Sequence, residues 1–193
     1  MDEVNDDDID KIFLQMRKEL QKIKPETGGQ DYGPKERSGF HTLGFGINIP
    51  DGFEKAGREK TAAIFFSKNR PDIVLLNPAE HAGITFQTAK SGNFSLDLEV
   101  ERKQIRRILS QADAKNVFYD QGNVFGDIPV VWFDYKSFAV DERVYNMMFL
   151  FPASEKLMIG TFYCIFKDYD RWRPEILNML RTIRTEEAVY ERI

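Results

Sequence analysis

The chain has a single cysteine, Cys164, and only two histidines, His41 and His81, in 193 residues. One cysteine excludes an intramolecular disulfide and any multi-cysteine zinc site. Cys164 lies within the apolar run "IGTFYCIF", which marks it as a buried small hydrophobe, because a reactive thiol needs a partly exposed, electropositive setting. The two histidines sit far apart, without an HExxH or similar pairing, so they offer neither converging metal ligands nor a base beside a nucleophile. Basic excess is missing too. Lys and Arg number 27 against 31 Asp and Glu, a net charge of −4, and no basic stripe is interleaved with aromatics, which argues against a general nucleic-acid binder. No apolar run reaches the ~18 residues that mark a membrane-spanning helix. The opening "MDEVNDDDID" is acidic and has no apolar signal core, so the expectation is a cytoplasmic protein. The sequon "NFS" at Asn93–Ser95 is then without consequence, since it matters only in a secreted chain.

What the chain does have is apolar bulk. Hydrophobic residues make up 42% and charged residues 30%, with 16 Phe and 7 Tyr. That is a globular balance with an aromatic load typical of β-rich cores. The length suits one domain that buries a core without disulfide or metal staples.

Residues 1–24 read as an amphipathic helix. Ile9, Phe13, Met16, Leu20 and Ile23 recur at steps of four and three on one stripe, Asp6, Asp7 and Asp8 offer an N-cap, and Pro25 stops it. Residues 25–39, "PETGGQDYGPKERSG", form a Gly- and Pro-rich linker. The tethered stripe has three places to dock: its own body, a second copy or a partner. The body is expected over 40–185, with a tail over 186–193. It opens with "FHTLGFGINIP", a strand candidate ended by Pro50 and the Asp51–Gly52 turn. "EKTAAIFF" is ambiguous, with moderate helix propensity and a short apolar end, whereas "DIVLL" and "GITFQTA" read as short strands. A helix is expected over about 96–113, with Leu98, Ile105, Ile108, Leu109 and Ala112 as its stripe. Strands follow near 116–125, 128–138, 142–151 and 156–167, joined by connections too short for parallel pairing, so they form an antiparallel meander. A closing helix runs from about Asp170 with the stripe Trp172, Ile176, Leu180 and Ile183, and Pro174 is placed in its first turn.

Two of these strands are unusual. In "VYNMMFLF" one alternate set is Val144, Asn146, Met148 and Leu150, and the other is Tyr145, Met147, Phe149 and Phe151. In "LMIGTFYCIF" both sets are again largely apolar. A strand with one wet side alternates, so these two are expected to be covered on both faces. "VVWFDYKSF" is mixed, with Asp134 and Lys136 marking a wetter side. The fold class that follows is α+β, an antiparallel sheet with helices on both faces, plus the extra N-terminal amphipathic helix.

The order of the strand ending "INIPDGF", the mid-chain helix, the meander "IPVVWFDY", "RVYNMMFLF", "KLMIGTFYCIF" and the helix "DRWRPEILNMLRTIR" resembles the PsbP-like superfamily over residues 40–184. That resemblance implies an α/β/α sandwich and a non-catalytic role as adaptor, assembly factor or secretion chaperone that binds other proteins. It implies no site residues, because the family shares no catalytic motif. The chain departs from the pattern in its N-terminal helix and linker, and in lacking the signal sequence of exported members.

Local motifs add no chemistry. Asp6, Asp8 and Asp10 match the 1, 3 and 5 positions of a calcium loop, but Lys11 stands where the turn needs Gly and Arg17 where the ion needs Glu. Gly44 and Gly46 lack the third glycine and helix opening of a dinucleotide loop and instead mark a bulge or an aromatic lying over the backbone. Asp97, Glu99 and Glu101 sit where a helix dipole favours negative charge. Arg102, Lys103, Arg106 and Arg107 read as a solvated face. Trp172, between Arg171 and Arg173, fits the core stripe better than an anion site. The sequence therefore points to a non-enzymatic, adaptor-like or chaperone-like protein-interaction module without cofactor or metal. Its partner is another protein, or itself, through Ile9, Phe13, Met16, Leu20 and Ile23. The alternative is a small apolar ligand held between sheet and helices near Asn146, Met147, Phe149, Tyr163 and Trp172. A further alternative is an enzyme of unrecognised type.

Overall fold

A computed structural model describes residues 43–65, 70–89, 97–139 and 141–185. The expected helix of residues 1–24, the linker 25–39 and the tail 186–193 lie outside the described residues. The described part is an α+β sandwich built on a seven-stranded antiparallel sheet. In chain order the strands are β1 (Phe45–Gly46), β2 (Glu54–Lys55), β3 (Ile73–Asn77), β4 (Ala82–Thr88), β5 (Val117–Phe125), β6 (Pro129–Phe138), β7 (Arg143–Ala153), β8 (Lys156–Ile165) and β9 (Arg184–Thr185). Helices α1 (Arg58–Ile64), α2 (Leu98–Ala112) and α3 (Tyr169–Leu180) complete it. The sheet order is β2-β3-β4-β8-β7-β6-β5, so β7 and β8 are central, while β1 and β9 form a separate two-stranded pair.

Burial explains the missing alternation in β7. Every residue from Val144 to Phe151 is buried. Tyr145, Met147, Phe149 and Phe151 pack with Trp172, Ile176, Met179 and Leu180 of α3. Met148 and Leu150 pack with Ile105 and Leu109 of α2, and Val144 packs with Ile64 and Phe65 at the end of α1. Successive side chains on a strand point to opposite faces, so α3 covers one face and α1 with α2 covers the other. The ambiguous "EKTAAIFF" supplies most of α1, whose seven residues, about two turns, are enough to seat Ile64 over the sheet.

Two bulky faces on adjacent strands crowd each other, and glycine relieves the crowding once on each face. Gly160 is the cross-strand partner of Phe149, and a Cβ there would lie 2.0 Å from the Phe149 ring. Gly83 is the partner of Tyr163 on the other face, and a Cβ there would lie 2.2 Å from the Tyr163 ring. Both rings lie flat over backbone that has no side chain.

The strand expected over 40–50 is reduced to Phe45–Gly46. Gly44 takes a φ of +77°, a left-handed turn that ends any ladder before it, and residues 47–50 form no ladder. The closing helix ends at Leu180, and Ile183 reaches the core from the turn before β9. Pro174 does not lie in the first turn as expected: it is the sixth residue of α3. Asp170, whose carbonyl loses its partner, and Pro174 are both exposed, so water replaces the missing bond.

Gly160→Ala is expected to lower stability by about 1–3 kcal/mol, the usual range for overpacking, read as a lower urea midpoint with unchanged slope. Adding Phe149→Leu should restore part of the loss, because the smaller side chain vacates the space above the new methyl.

Candidate partner-binding surface

Helix α3 does not cover its whole face of the sheet. At the corner where β5 begins and β6 ends, Val117 is 40% exposed and Tyr119 49% exposed, and Lys136 and Phe138 are half-buried. Phe166, in the turn that leads into α3, approaches from β8. The ammonium of Lys136 stands 6.0 Å from the ring centre of Tyr119, 5.2 Å from Phe138 and 5.1 Å from Phe166, within cation–π range of three rings. It forms no ion pair with a described residue. Phe166 stacks on Tyr169 with centroids 5.1 Å apart, and Tyr119 lies 6.0 Å from Phe166. The corner is an aromatic platform with one fixed cation. It continues into an open groove of about 470 Å³ lined by Phe138, Ala139, Ile165 and Phe166, with Asp141, Glu142, Arg143 and Lys167 on its rim.

A buried carboxylate holds the platform together from below. Asp134, expected on a wet side, is 1% exposed. Its burial is tolerated because its oxygens are met by donors. The Tyr145 hydroxyl and Arg173 Nε each donate to Oδ2 at 2.9 Å, and the Asp120 backbone N–H donates to Oδ1 at 2.7 Å. Arg173 also donates to the Asp120 carboxylate at 2.7 Å and lies 5.2 Å over the Trp132 ring. β5, β6, β7 and α3 are thus tied at one point. Burial, and then the Asp134 charge, push the Tyr145 hydroxyl far above its ordinary range, so it stays a donor. For Arg173, burial is the largest influence and works against the charge, but the bond to and charge of Asp134, with Tyr145 and the bond to Asp120, together outweigh it and the net shift is upward.

The remaining sequence candidates are placed as follows. Met147, Phe149 and Trp172 sit together in the core under α3, whereas Asn146 and Tyr163 face α1 and α2, so the sheet itself separates the five residues expected around a ligand. The Asn146 amide donates to Ser137 Oγ at 2.9 Å and to the Val144 carbonyl at 3.2 Å, which makes it a satisfied polar point in packed core. Ile9, Phe13, Met16, Leu20 and Ile23 lie outside the described residues, as does His41. His81 is an exposed turn residue with a φ of +47°. Asp97 caps α2, accepting from the Glu99 N–H at 3.0 Å. Arg102 is not on a solvated face: it is 6% exposed and donates to the Gly122 carbonyl and Asn123 Oδ1 at 3.0 and 3.1 Å, and it pairs with Glu99. Both guanidiniums of "RWR" are committed to the protein's own carboxylates, Arg171 to Glu80 and Arg173 to Asp134 and Asp120. The Arg171 bond holds the Glu80 carboxyl below its ordinary range. Among the described residues, no group of three His, Cys, Asp or Glu is placed to hold a metal ion, and no helix is long and apolar enough to cross a membrane. The platform is not legible locally, because Tyr119, Lys136 and Phe166 come from β5, β6 and the turn before α3.

The geometry is that of the PsbP-like fold. Cyanobacterial PsbP (CyanoP) from Synechocystis sp. PCC 6803 superposes with a TM-score of 0.57 at 11% identity, over 84% of this chain and 98% of that one. LpqN of Mycobacterium tuberculosis, described as involved in cell envelope biogenesis, gives a TM-score of 0.48 at 8% identity over 74% and 83% of the two chains. The Saccharomyces cerevisiae Ran-binding protein Mog1p gives 0.48 at 11% over 76% and 92%. The first similarity establishes the fold, and the other two are too distant to add to it. No family model matches the sequence, and no curated protein matches it.

Asp134→Ala is expected to cost about 3 kcal/mol or more, because it strands a partly buried guanidinium and a buried hydroxyl. The triple variant Asp134→Leu, Tyr145→Phe, Arg173→Leu should cost less, since no polar group is left unpaired. Urea unfolding of both measures the difference. Cys164 is 1% exposed, and burial pushes its thiol up to about 12 from 9.0. The folded state therefore disfavours the thiolate. Alkylation at pH 8 should be slow when folded and fast in denaturant, and this residue's contribution to stability should be complete below about pH 9 and disappear as the pH rises towards 12.

Proposed function

We propose that this chain is a non-enzymatic, cytoplasmic protein-interaction module of adaptor or chaperone type, and that it holds its partner on the Tyr119–Lys136–Phe166 platform and the adjoining groove. The observation that carries this proposal is where the sheet's cover ends. Three of the four exposed large apolar side chains among the described residues, Val117, Tyr119 and Phe125, lie on the single strand β5, and two of them adjoin the platform. Soluble domains rarely leave clustered apolar area in water without a use for it, and aromatic residues are enriched where partners dock. The core under α3, by contrast, is filled by buried Phe149 and Trp172. The stripe Ile9, Phe13, Met16, Leu20 and Ile23 is a second contact in this proposal, brought to the same partner by the linker over 25–39.

Site-specific photocrosslinking tests the assignment. A photoreactive phenylalanine analogue at position 119 or 166 should yield a covalent adduct with a protein, and the same analogue at exposed Glu59 on α1 should not. Adducts of equal yield at all three positions, or at none, would overturn the platform assignment. Phe13→Asp with Leu20→Asp should reduce adduct yield while leaving the unfolding midpoint of the body unchanged.

A further inference from the structure

The two margins of the main sheet are unlike. At one, β2 offers two residues, too short a ladder to receive another strand. At the other, β5 runs for nine residues and pairs, among the described residues, on one side only, and of the nine only Val124 is buried. Natural edge strands are usually blunted by lysine, proline, bulges or an inward charge. "VFYDQGNVF" has neither lysine nor proline. Its one charge, Asp120, is already neutralised by Arg173, and its one irregularity lies between Phe118 and Gln121. Beyond that point the ladder is regular to Phe125, which is 79% exposed.

Charge beside this edge is one-signed. On the α3 face, Lys136 is held over Tyr119, one strand in from the edge. On the α2 face, the Arg106 guanidinium lies 5.0 Å over the Phe118 ring. Neither cation forms an ion pair with a described residue: Lys136 is positioned by an aromatic ring of β5, and Arg106 by the Phe118 ring together with a hydrogen bond to Gln121 Oε1, both on β5. Three other arginines, at 102, 171 and 173, are committed to carboxylates. The acidic residues of the groove rim, Asp141 and Glu142, lie beyond Phe138 and are accompanied there by Arg143 and Lys167. Beside β5, then, the cations without a carboxylate partner among the described residues are Lys136 on one face and Arg106, which also donates to the Gln121 Oε1 of β5, on the other.

We infer that β5 receives an extended acidic segment of the partner as an added strand, with main-chain bonds along the edge and carboxylates on Lys136 and Arg106. The inference rests on the protein-binding proposal above and narrows it to one binding mode and one partner chemistry. Strand addition takes affinity from main-chain hydrogen bonds and specificity from alternate side chains. The two cations, fixed by cation–π contact, meet an incoming carboxylate with little side-chain ordering left to lose.

The test uses the full chain and three capped seven-residue peptides: alternating valine and glutamate, alternating valine and lysine, and the valine–glutamate peptide N-methylated at every second residue. The acidic peptide should bind with a Kd at or below about 1 mM and slow hydrogen exchange at Gln121–Phe125. N-methylation removes strand hydrogen bonds without touching the protein's fold, and it should weaken binding by about tenfold. Lys136→Met and Arg106→Met should each weaken the acidic peptide by roughly threefold, an effect that added salt reproduces. Failure of the acidic peptide to bind would overturn the inference, as would equal binding of the lysine or N-methylated peptide. So would protection of the same amides by self-association without peptide. In each of those cases crosslinking at 119 and 166 can still succeed, so failure of strand addition is distinguishable from failure of the platform.

Discussion

Strands β7 and β8 have no wet side, and most of the architecture follows from that. Fourteen apolar side chains on two adjacent strands, seven within Val144–Phe151 and seven within Leu157–Ile165, remove both faces from water at about 25 cal/mol per Å² of apolar area, so two helical layers are required rather than one. The same bulk cannot be packed on both faces at van der Waals density without relief, because interiors are filled like crystals. Gly160 under Phe149 and Gly83 under Tyr163 supply that relief, one per face, and large rings lie directly over the main chain. Substituting either glycine disturbs a ring in a layer that has no room to give.

The cover is sufficient for the centre and insufficient for the margin. α3 starts at Tyr169 and runs over Trp172, Ile176 and Leu180, so the β5–β6 corner at its N-terminal end is left to Tyr119, Lys136, Phe138 and Phe166. The Asp134 carboxylate lies beneath them and fixes four elements at once, because each of its donors belongs to a different one of β5, β7 and α3 while it sits on β6 itself. A charge buried this way is costly unless fully paired, and its pairing makes the corner rigid. A rigid aromatic surface with a positioned cation loses little entropy on association, which is why a partner site at this corner is physically economical.

Much of the framework was legible. The meander, the two amphipathic helices and the double-sided burial of "VYNMMFLF" all follow from local period and connection length, which depend only on neighbours in sequence. Other features were misjudged for one shared reason. Asp134 and Arg102 looked solvent-facing because charged residues on strands and helix faces usually are, yet both find partners on elements distant in sequence. β1 looked longer than two residues because extended propensity in "GFGINIP" is real, but a ladder also needs a partner, and only Arg184–Thr185 arrives there. α1 stays ambiguous in sequence, with moderate helix propensity, because seven residues hold too few turns for a period to emerge.

By itself, then, the sequence determined the number of layers, the antiparallel order of the meander, the central place of β7 and β8 and the absence of disulfide or multi-cysteine metal staples. These are consequences of apolar period, turn length and residue count. Only the tertiary structure decided that Tyr119, Lys136 and Phe166 form one surface, that Asn146 and Met147 look away from each other into separate cores, and that one sheet margin is long and open while the other is short. Those outcomes depend on the path of α3 across the sheet and on the order of seven strands, and no local stretch of residues encodes either.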